Sequence, residues 1–350
     1  LFDGISDAAL MALVGLFGGT LLGLAARLGR FCTLGAIEDF LYQHSALRLR
    51  MWVLAIGVAT FGVHLLAATG AVELSETLYL ASPWSPVASI LGGLLFGYGM
   101  SIAGTCGFGA LARTGGGDFR AFVIVLVMGI SAYVMLSGPL ASARVALIEA
   151  TELGLDTLSI AGVIGQVAGG GAIGPGLVIG LAITAAALAS KAFLSSPATL
   201  AWSAIVGLAI VSGWWGSSAI VQSHLSALPV VSHTYSAPLG ETLLYVMTSS
   251  GGGLSFGVGS VAGVLAGAFA GSLIKGHFRW EACEDPRELR RQVLGAVLMG
   301  FGAVLAFGCT IGQGLSAFSV LAFSAPVTFA AIFIGAAIGL RQLITGFAIS

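Results

Sequence analysis

Long apolar runs separated by short polar joints organise this chain. They lie at about 8–29, 51–70, 84–104, 120–138, 158–172, 174–194, 199–215, 254–274, 291–307 and 326–346. A helix needs about 20 apolar residues to cross the hydrocarbon core. Backbone groups left unpaired in lipid cost several kcal/mol, so these runs are expected as membrane helices. The length accommodates roughly nine to eleven such segments and leaves nothing for a sizeable soluble domain. The chain begins at Leu1 rather than Met, so its start is expected to be missing. No basic region precedes the first run, Ala8 to Ala26, which reads as a span and not as a cleaved signal.

The joints set the orientation. One polar joint runs from Arg30 to Arg50 and carries Glu38, Asp39 and Arg48; another runs from Lys275 to Arg291 and carries Arg279, Arg287 and Arg290. Short basic loops stay cytoplasmic. The joints at 71–83 and 216–242 contain Glu but no Lys or Arg and suit the outer face, which puts the N-terminus outside. Lys191 joins the cytoplasmic side only if one apolar run between 84 and 172 fails to cross. A re-entrant segment around Gly104 to Gly117 would supply that parity.

Composition agrees. Ala, Val, Ile, Leu, Met, Phe, Trp, Tyr and Cys make up 57% of the chain, with 53 Gly in addition, and only 8% is charged. A net charge of −1 leaves no basic field for nucleic acid. Disorder demands low hydrophobicity and high charge, and four Cys in 350 residues do not make a disulfide framework.

An internal repeat stands out. Gly92, Leu95, Gly97, Gly99, Ala103, Cys106 and Gly109 meet Gly295, Leu298, Gly300, Gly302, Ala306, Cys309 and Gly312 at a constant offset of 203. Gly matches come cheaply in so Gly-rich a chain; pairing two of four Cys does not. By the loop charges the two copies run in opposite directions, as inverted repeats of transporters do. The expectation is a single transmembrane domain over 1–350, all α-helical. It has about 9–10 membrane helices with re-entrant short helices or loops, and inverted repeats at approximately 8–138 and 254–346.

Chemistry is concentrated in the Gly-Cys segments. Cys106 lies in Gly104-Thr105-Cys106-Gly107-Phe108-Gly109, and Cys309 in Gly308-Cys309-Thr310-Ile311-Gly312-Gln313-Gly314. Gly costs about 1 kcal/mol against Ala inside a helix, so such a cluster marks either close packing or a helix break. A break at mid-membrane exposes N–H groups and a positive dipole end suited to an anion. Cys32, in Arg30-Phe31-Cys32-Thr33-Leu34-Gly35, sits where the first span meets a cytoplasmic loop. Cys283, in an acidic loop, reads as an unreactive surface thiol. His64 reads as a packing residue within a span.

Other chemistries lack their residues. There is no Cys-x-x-Cys, no His pair at i, i+4 spacing and no nucleotide-binding Gly-x-x-x-x-Gly-Lys-Ser/Thr loop. No metal or cofactor is expected. Acidic residues are nearly missing from the span centres, so coupling to a cation gradient has no visible apparatus. Weak S–H donors suit a soft sulfur-bearing anion, held briefly enough to leave again.

The stretch Phe31-Cys32-Thr33-Leu34-Gly35-Ala36-Ile37, the Cys106 loop and Phe307-Gly308-Cys309-Thr310-Ile311-Gly312-Gln313-Gly314 resemble the YeeE/YedE family of bacterial inner-membrane thiosulfate transporters. The resemblance spans nearly the whole chain, including Phe278-Arg279-Trp280-Glu281. It implies an hourglass of inverted halves in which thiosulfate passes between Cys thiols by S–H···S contacts. Cys106 and Cys309 would lie on the central pathway and Cys32 on its cytoplasmic side, with Gly107, Gly308, Thr310 and Gln313 beside it. All three thiols are expected to be protonated, since a thiolate would repel the anion and lose its donor. The resemblance further implies a partnership with a small cytoplasmic TusA-like sulfur carrier, docking on 38–50 and 275–291. The residues leave two alternatives open: another sulfur or selenium species as solute, or a membrane sulfur-transferase working through a Cys persulfide.

Overall fold

The structure, a computed structural model, describes residues 6–155, 158–224, 226–250, 253–282 and 285–346. Cys283 lies outside the described residues. One pattern recurs along the chain: a long helix, a sharp turn, a short helix, then a second long helix. The first instance comprises α1 (Asp7–Leu28), α2 (Thr33–Tyr42) and α3 (Leu47–Ala68). A single turn, α4 (Leu78–Ala81), leads into the second, formed by α5 (Pro86–Ala103), α6 (Gly107–Gly115) and α7 (Phe119–Leu136). Connecting helices follow: α8 (Ala141–Thr151), α9 (Ile160–Val167), α10 (Ile173–Leu188) and α11 (Lys191–Leu194). The third instance is α12 (Pro197–His224), α13 (Ala237–Thr248) and α14 (Phe256–Ile274). The fourth is α15 (Pro286–Leu305), a short helix at 310–319 containing the π-helical turn Gly312–Ala317, and α16 (Ser324–Thr345).

Among the described residues, seven helical stretches are long and apolar enough to cross a membrane, so this is an all-α polytopic membrane protein. Large apolar side chains cover the perimeter, as lipid requires; Val178 is 68% exposed and Ile130 59%. The shorter α10 packs antiparallel to α3, with Gly57 against Thr184, Gly180 against Phe61 and Gly176 against His64. Its C-terminal carbonyls at Ala186 and Ala187 each accept from Arg50 Nη1 at 3.1 Å. That contact brings the start of α11 to the basic, cytoplasmic side. The missing crossing is α9: eight residues rise only about 12 Å, so the run at 158–172 does not span. The parity expected from Gly104–Gly117 is therefore supplied elsewhere.

Glycine lets the helices touch backbone to backbone. Gly15, Gly19 and Gly23 of α1 lie against Phe256, Ser260 and Val264 of α14, while Gly259, Gly263 and Gly267 return the contact onto Ala12, Leu16 and Thr20. The register advances by four on both helices, so they run parallel with a small-residue seam. α5 and α16 pair in parallel the same way, through Gly93 against Thr328, Gly97 against Ile332 and Gly339 against Ser101. α5 and α15 run antiparallel, Gly92 meeting Gly302 and Gly99 meeting Gly295. The repeated glycines upstream of Cys106 and Cys309 thus serve packing. The helix breaks lie further on, at the cysteines.

On the cytoplasmic side, Asp118 fastens the start of α7. Its Oδ1 accepts from the N–H groups of Arg120 (3.0 Å) and Ala121 (3.2 Å), and its Oδ2 pairs with Arg113 Nη2 at 2.7 Å. Burial alone would raise this carboxyl. Arg113, the Ala121 N–H and Arg120 outweigh it and hold Asp118 below the usual carboxylate range.

Candidate functional site

The three described cysteines occupy the same local structure. Each follows a long helix that ends on a residue with left-handed backbone two positions earlier: Arg30 (φ 56°) before Cys32, Gly104 (φ 75°) before Cys106, and Phe307 (φ 55°) before Cys309. A left-handed residue cannot continue the helix, and for Arg30 and Phe307 it costs roughly 1–2 kcal/mol. Each cysteine then precedes the first residue of a new short helix. Cys32 Sγ accepts from Gly35 N at 3.5 Å and Cys106 Sγ from Gly109 N at 3.4 Å, the role usually held by an N-cap oxygen. Three breaks therefore aim three positive helix ends and three sulfurs inward.

Cys309 departs from its counterparts in an informative way. Its sulfur accepts from the N–H of Tyr235 at 3.2 Å and lies 3.8 Å from Thr234 Oγ1. Both belong to the segment between α12 and α13, read from sequence as part of an outer joint at 216–242. Instead the segment dips into the core: His233 and Tyr235 are fully buried, and His233 O accepts from Ser316 Oγ at 2.6 Å. It occupies, between a long helix and a short one, the place that the cysteines hold in the other three instances.

The sulfurs share one neighbourhood. Cys106 is fully buried, Cys309 is 1% exposed and Cys32 is half-buried. Cys106 lies within electrostatic reach of both Cys32 and Cys309. The Thr310 hydroxyl faces Cys106 and is otherwise buried without a hydrogen-bond partner; the Thr33 hydroxyl beside Cys32 is buried and unpartnered. A Cβ at Gly107 would come to 2.7 Å from Met128 Sδ and 3.2 Å from the Tyr235 carbonyl, which places Tyr235 beside the start of α6. Phe108 and Tyr235 rings lie 5.4 Å apart across the same junction. Gln313 donates from Nε2 to the carbonyls of Ala306 (2.9 Å) and Phe307 (3.2 Å), which braces the turn that presents Cys309.

Two residues invisible to motif reading complete the outer side. Tyr79 of α4 is buried against Phe307 (5.7 Å between rings) and Trp214 (6.3 Å). Its hydroxyl and that of Thr234 converge on Gly312, where a side chain would collide with both. Beyond Thr234 an outer cavity of about 240 Å³ opens, lined by Met11, Leu78, Ser232, Ser255 and Glu241 among others.

The inner side is basic. Arg27, Arg30, Lys275, His277 and Arg279 line a cytoplasmic cavity of about 500 Å³ together with Glu281. Lys275 Nζ donates to the carbonyls of Arg27 (2.8 Å) and Leu28 (3.2 Å) at the end of α1. Burial, together with Arg30 and Arg27 nearby, holds its ammonium below the ordinary lysine range. Among the described residues no group of His, Cys, Asp and Glu could hold a metal ion.

A family model described as "Sulphur transport" matches residues 28–338. The thiosulfate transporter TsuA of Escherichia coli (strain K12) is 27% identical over 328 residues, covering 87% of each chain. The thiosulfate transporter TsuA of Spirochaeta thermophila is 27% identical over 323 residues, covering 90% of this chain and 93% of the relative.

Proposed function

The chain belongs to the sulphur transport family, and from that premise we propose that it conducts thiosulfate across the bacterial inner membrane along the line Thr234, Cys309, Cys106, Cys32. The observation that carries the reading is the shared geometry of the cysteines: three broken helices placing three sulfurs in one neighbourhood, with Cys106 within electrostatic reach of both Cys309 and Cys32. The chain acts here as a transporter, not an enzyme. It is built as two inverted halves, of which the parallel pairs α1–α14 and α5–α16 and the antiparallel pair α5–α15 form the seams.

Each step follows from bonding preferences. Thiosulfate offers one large, polarisable sulfur and three oxygens. Protonated thiols donate weakly to the terminal sulfur, while the Thr234, Thr310 and Thr33 hydroxyls are placed to donate to oxygens. Helix N-termini supply fixed positive potential without a trapping cation. Among the described residues no Lys or Arg is among the groups acting on Cys106, so no full charge there holds the dianion too tightly for release. The basic cavity around Arg27, Arg30 and Lys275 receives it on the cytoplasmic side. The same face, with the 38–50 and 275–291 loops, is where a small TusA-like sulfur carrier would dock.

Competition tests the solute. Uptake of labelled thiosulfate into liposomes holding the purified protein should fall when unlabelled thiosulfate is added. Equal concentrations of sulfate, which lacks the soft terminal sulfur, should leave it unchanged. Sulfate competing as well as thiosulfate would remove the role assigned to the thiols. Stronger competition by selenite or sulfite would reassign the solute within the same architecture.

A further inference from the structure

The outer cavity that ends at Thr234 carries one ionisable side chain on its wall, Glu241 of α13. Its Oε2 accepts from Ser255 Oγ at 3.2 Å, and its end packs against Gly257, where a Cβ would come to 2.9 Å. Among the described residues no Lys, Arg or His lines the cavity to neutralise it. The elements packed around α13 contribute few charges. α14 has no ionisable residue along its length. α7 brings Tyr133 against Gly240. α1 begins with Asp7, the preceding segment holds His233, bonded through Nδ1 to Ser260 Oγ at 2.7 Å, and α13 itself adds Tyr245. A lone carboxyl without a cation thus stands where a dianion must enter.

We propose that Glu241 is a protonation-controlled selectivity residue at the outer mouth: the cavity admits the thiosulfate dianion when this carboxyl is neutral and rejects it when ionised. The inference rests on the transport reading above. The proton comes from the outer medium and resides on Glu241, whose neutral form offers an O–H donor to a thiosulfate oxygen. In its ionised form, the carboxylate places a like charge within a few ångströms of the anion in a partly desolvated cavity, where Coulomb repulsion is strong. Burial raises the Glu241 carboxyl above the ordinary carboxylate range, with the Ser255 hydroxyl opposing it in part. Thiosulfate itself keeps both charges across that range, so any pH dependence belongs to the protein.

The test is initial thiosulfate uptake into proteoliposomes with the internal pH fixed and the external pH varied from about 8 to about 5.5. The wild type should speed up on acidification by about tenfold, the size of effect that a nearby unit charge supplies. Glu241→Gln should be fast and flat across the range, and Glu241→Asp should keep a pH dependence. Matching profiles for wild type and Glu241→Gln would overturn the proposal. If Glu241→Gln does not fold, the wild type and Glu241→Asp decide, and pH-independent uptake by both would overturn it equally. A wild type that takes up nothing at any pH would overturn the transport reading, and this inference with it; uptake that is present but flat would overturn this inference alone.

Discussion

Replacing Cys309 with Ala should reduce thiosulfate uptake by about ten- to a hundredfold, the cost of losing a hydrogen bond to a charged group of roughly 1.5–3 kcal/mol. Cys309→Ser should keep an intermediate rate, because the hydroxyl still donates but binds a soft sulfur less well. The order follows from position. Cys309 receives the Tyr235 N–H and borders Thr234, which lines the outer cavity, so on the proposed path it is the first thiol an anion entering from that cavity would meet. Initial uptake rates at matched protein density in the membrane measure this. An Ala variant that transports as fast as the wild type would remove the thiol from the path.

Gly97→Val should prevent folding rather than slow transport. A Cβ at Gly97 would be driven into the Ile332 carbonyl, with the Ala336 nitrogen at 2.8 Å. These are backbone atoms that cannot rotate away. Overpacking typically costs 1–3 kcal/mol even where side chains can yield, and here the α5–α16 seam must part. The parting would also displace Cys106 at the far end of α5. The measurement is the fraction of protein recovered as a monodisperse species in mild detergent, together with its thermal midpoint. A well-behaved Gly97→Val protein with a wild-type midpoint would show that the seam tolerates separation.

The membrane class and the cysteine segments were legible because they rest on local composition. Apolar runs declare spans by length, and rare Cys among clustered Gly declares a break. Which residue makes the break was less legible: Gly104 is visible as a left-handed candidate, whereas Arg30 and Phe307 adopt the same backbone without a sequence signal. The run at 158–172 is apolar enough to pass for a span, yet a Gly-rich stretch after Val167 ends α9 early. Tyr79, Thr234 and Tyr235 escaped notice because they lie in joints whose polarity suits an outer surface. Their approach to Cys309 exists only through tertiary packing. One signal was available for the 216–242 joint: its His, Tyr and aliphatic residues are unusually apolar company for a loop left in water.

Glu241 illustrates a related limit. In the sequence it served to mark the outer side, as an acid in a joint free of Lys and Arg. The fold turns it toward the cavity that leads to the thiols, where the same charge acquires a consequence for an anion. The basic cavity at the opposite end, built from Arg27 and Arg30 on one side and Lys275 and Arg279 on the other, joins residues about 250 positions apart.

The central claim is that thiosulfate crosses intact instead of leaving its outer sulfur on a cysteine. Thiosulfate labelled separately at the terminal and the central sulfur tests this directly in liposomes containing only this chain. Transport predicts that both labels enter at the same rate and in equal amounts, with no label retained on the washed protein. Terminal label held on Cys32, Cys106 or Cys309 while the central label stays outside would contradict the account and identify a sulfur-transferase.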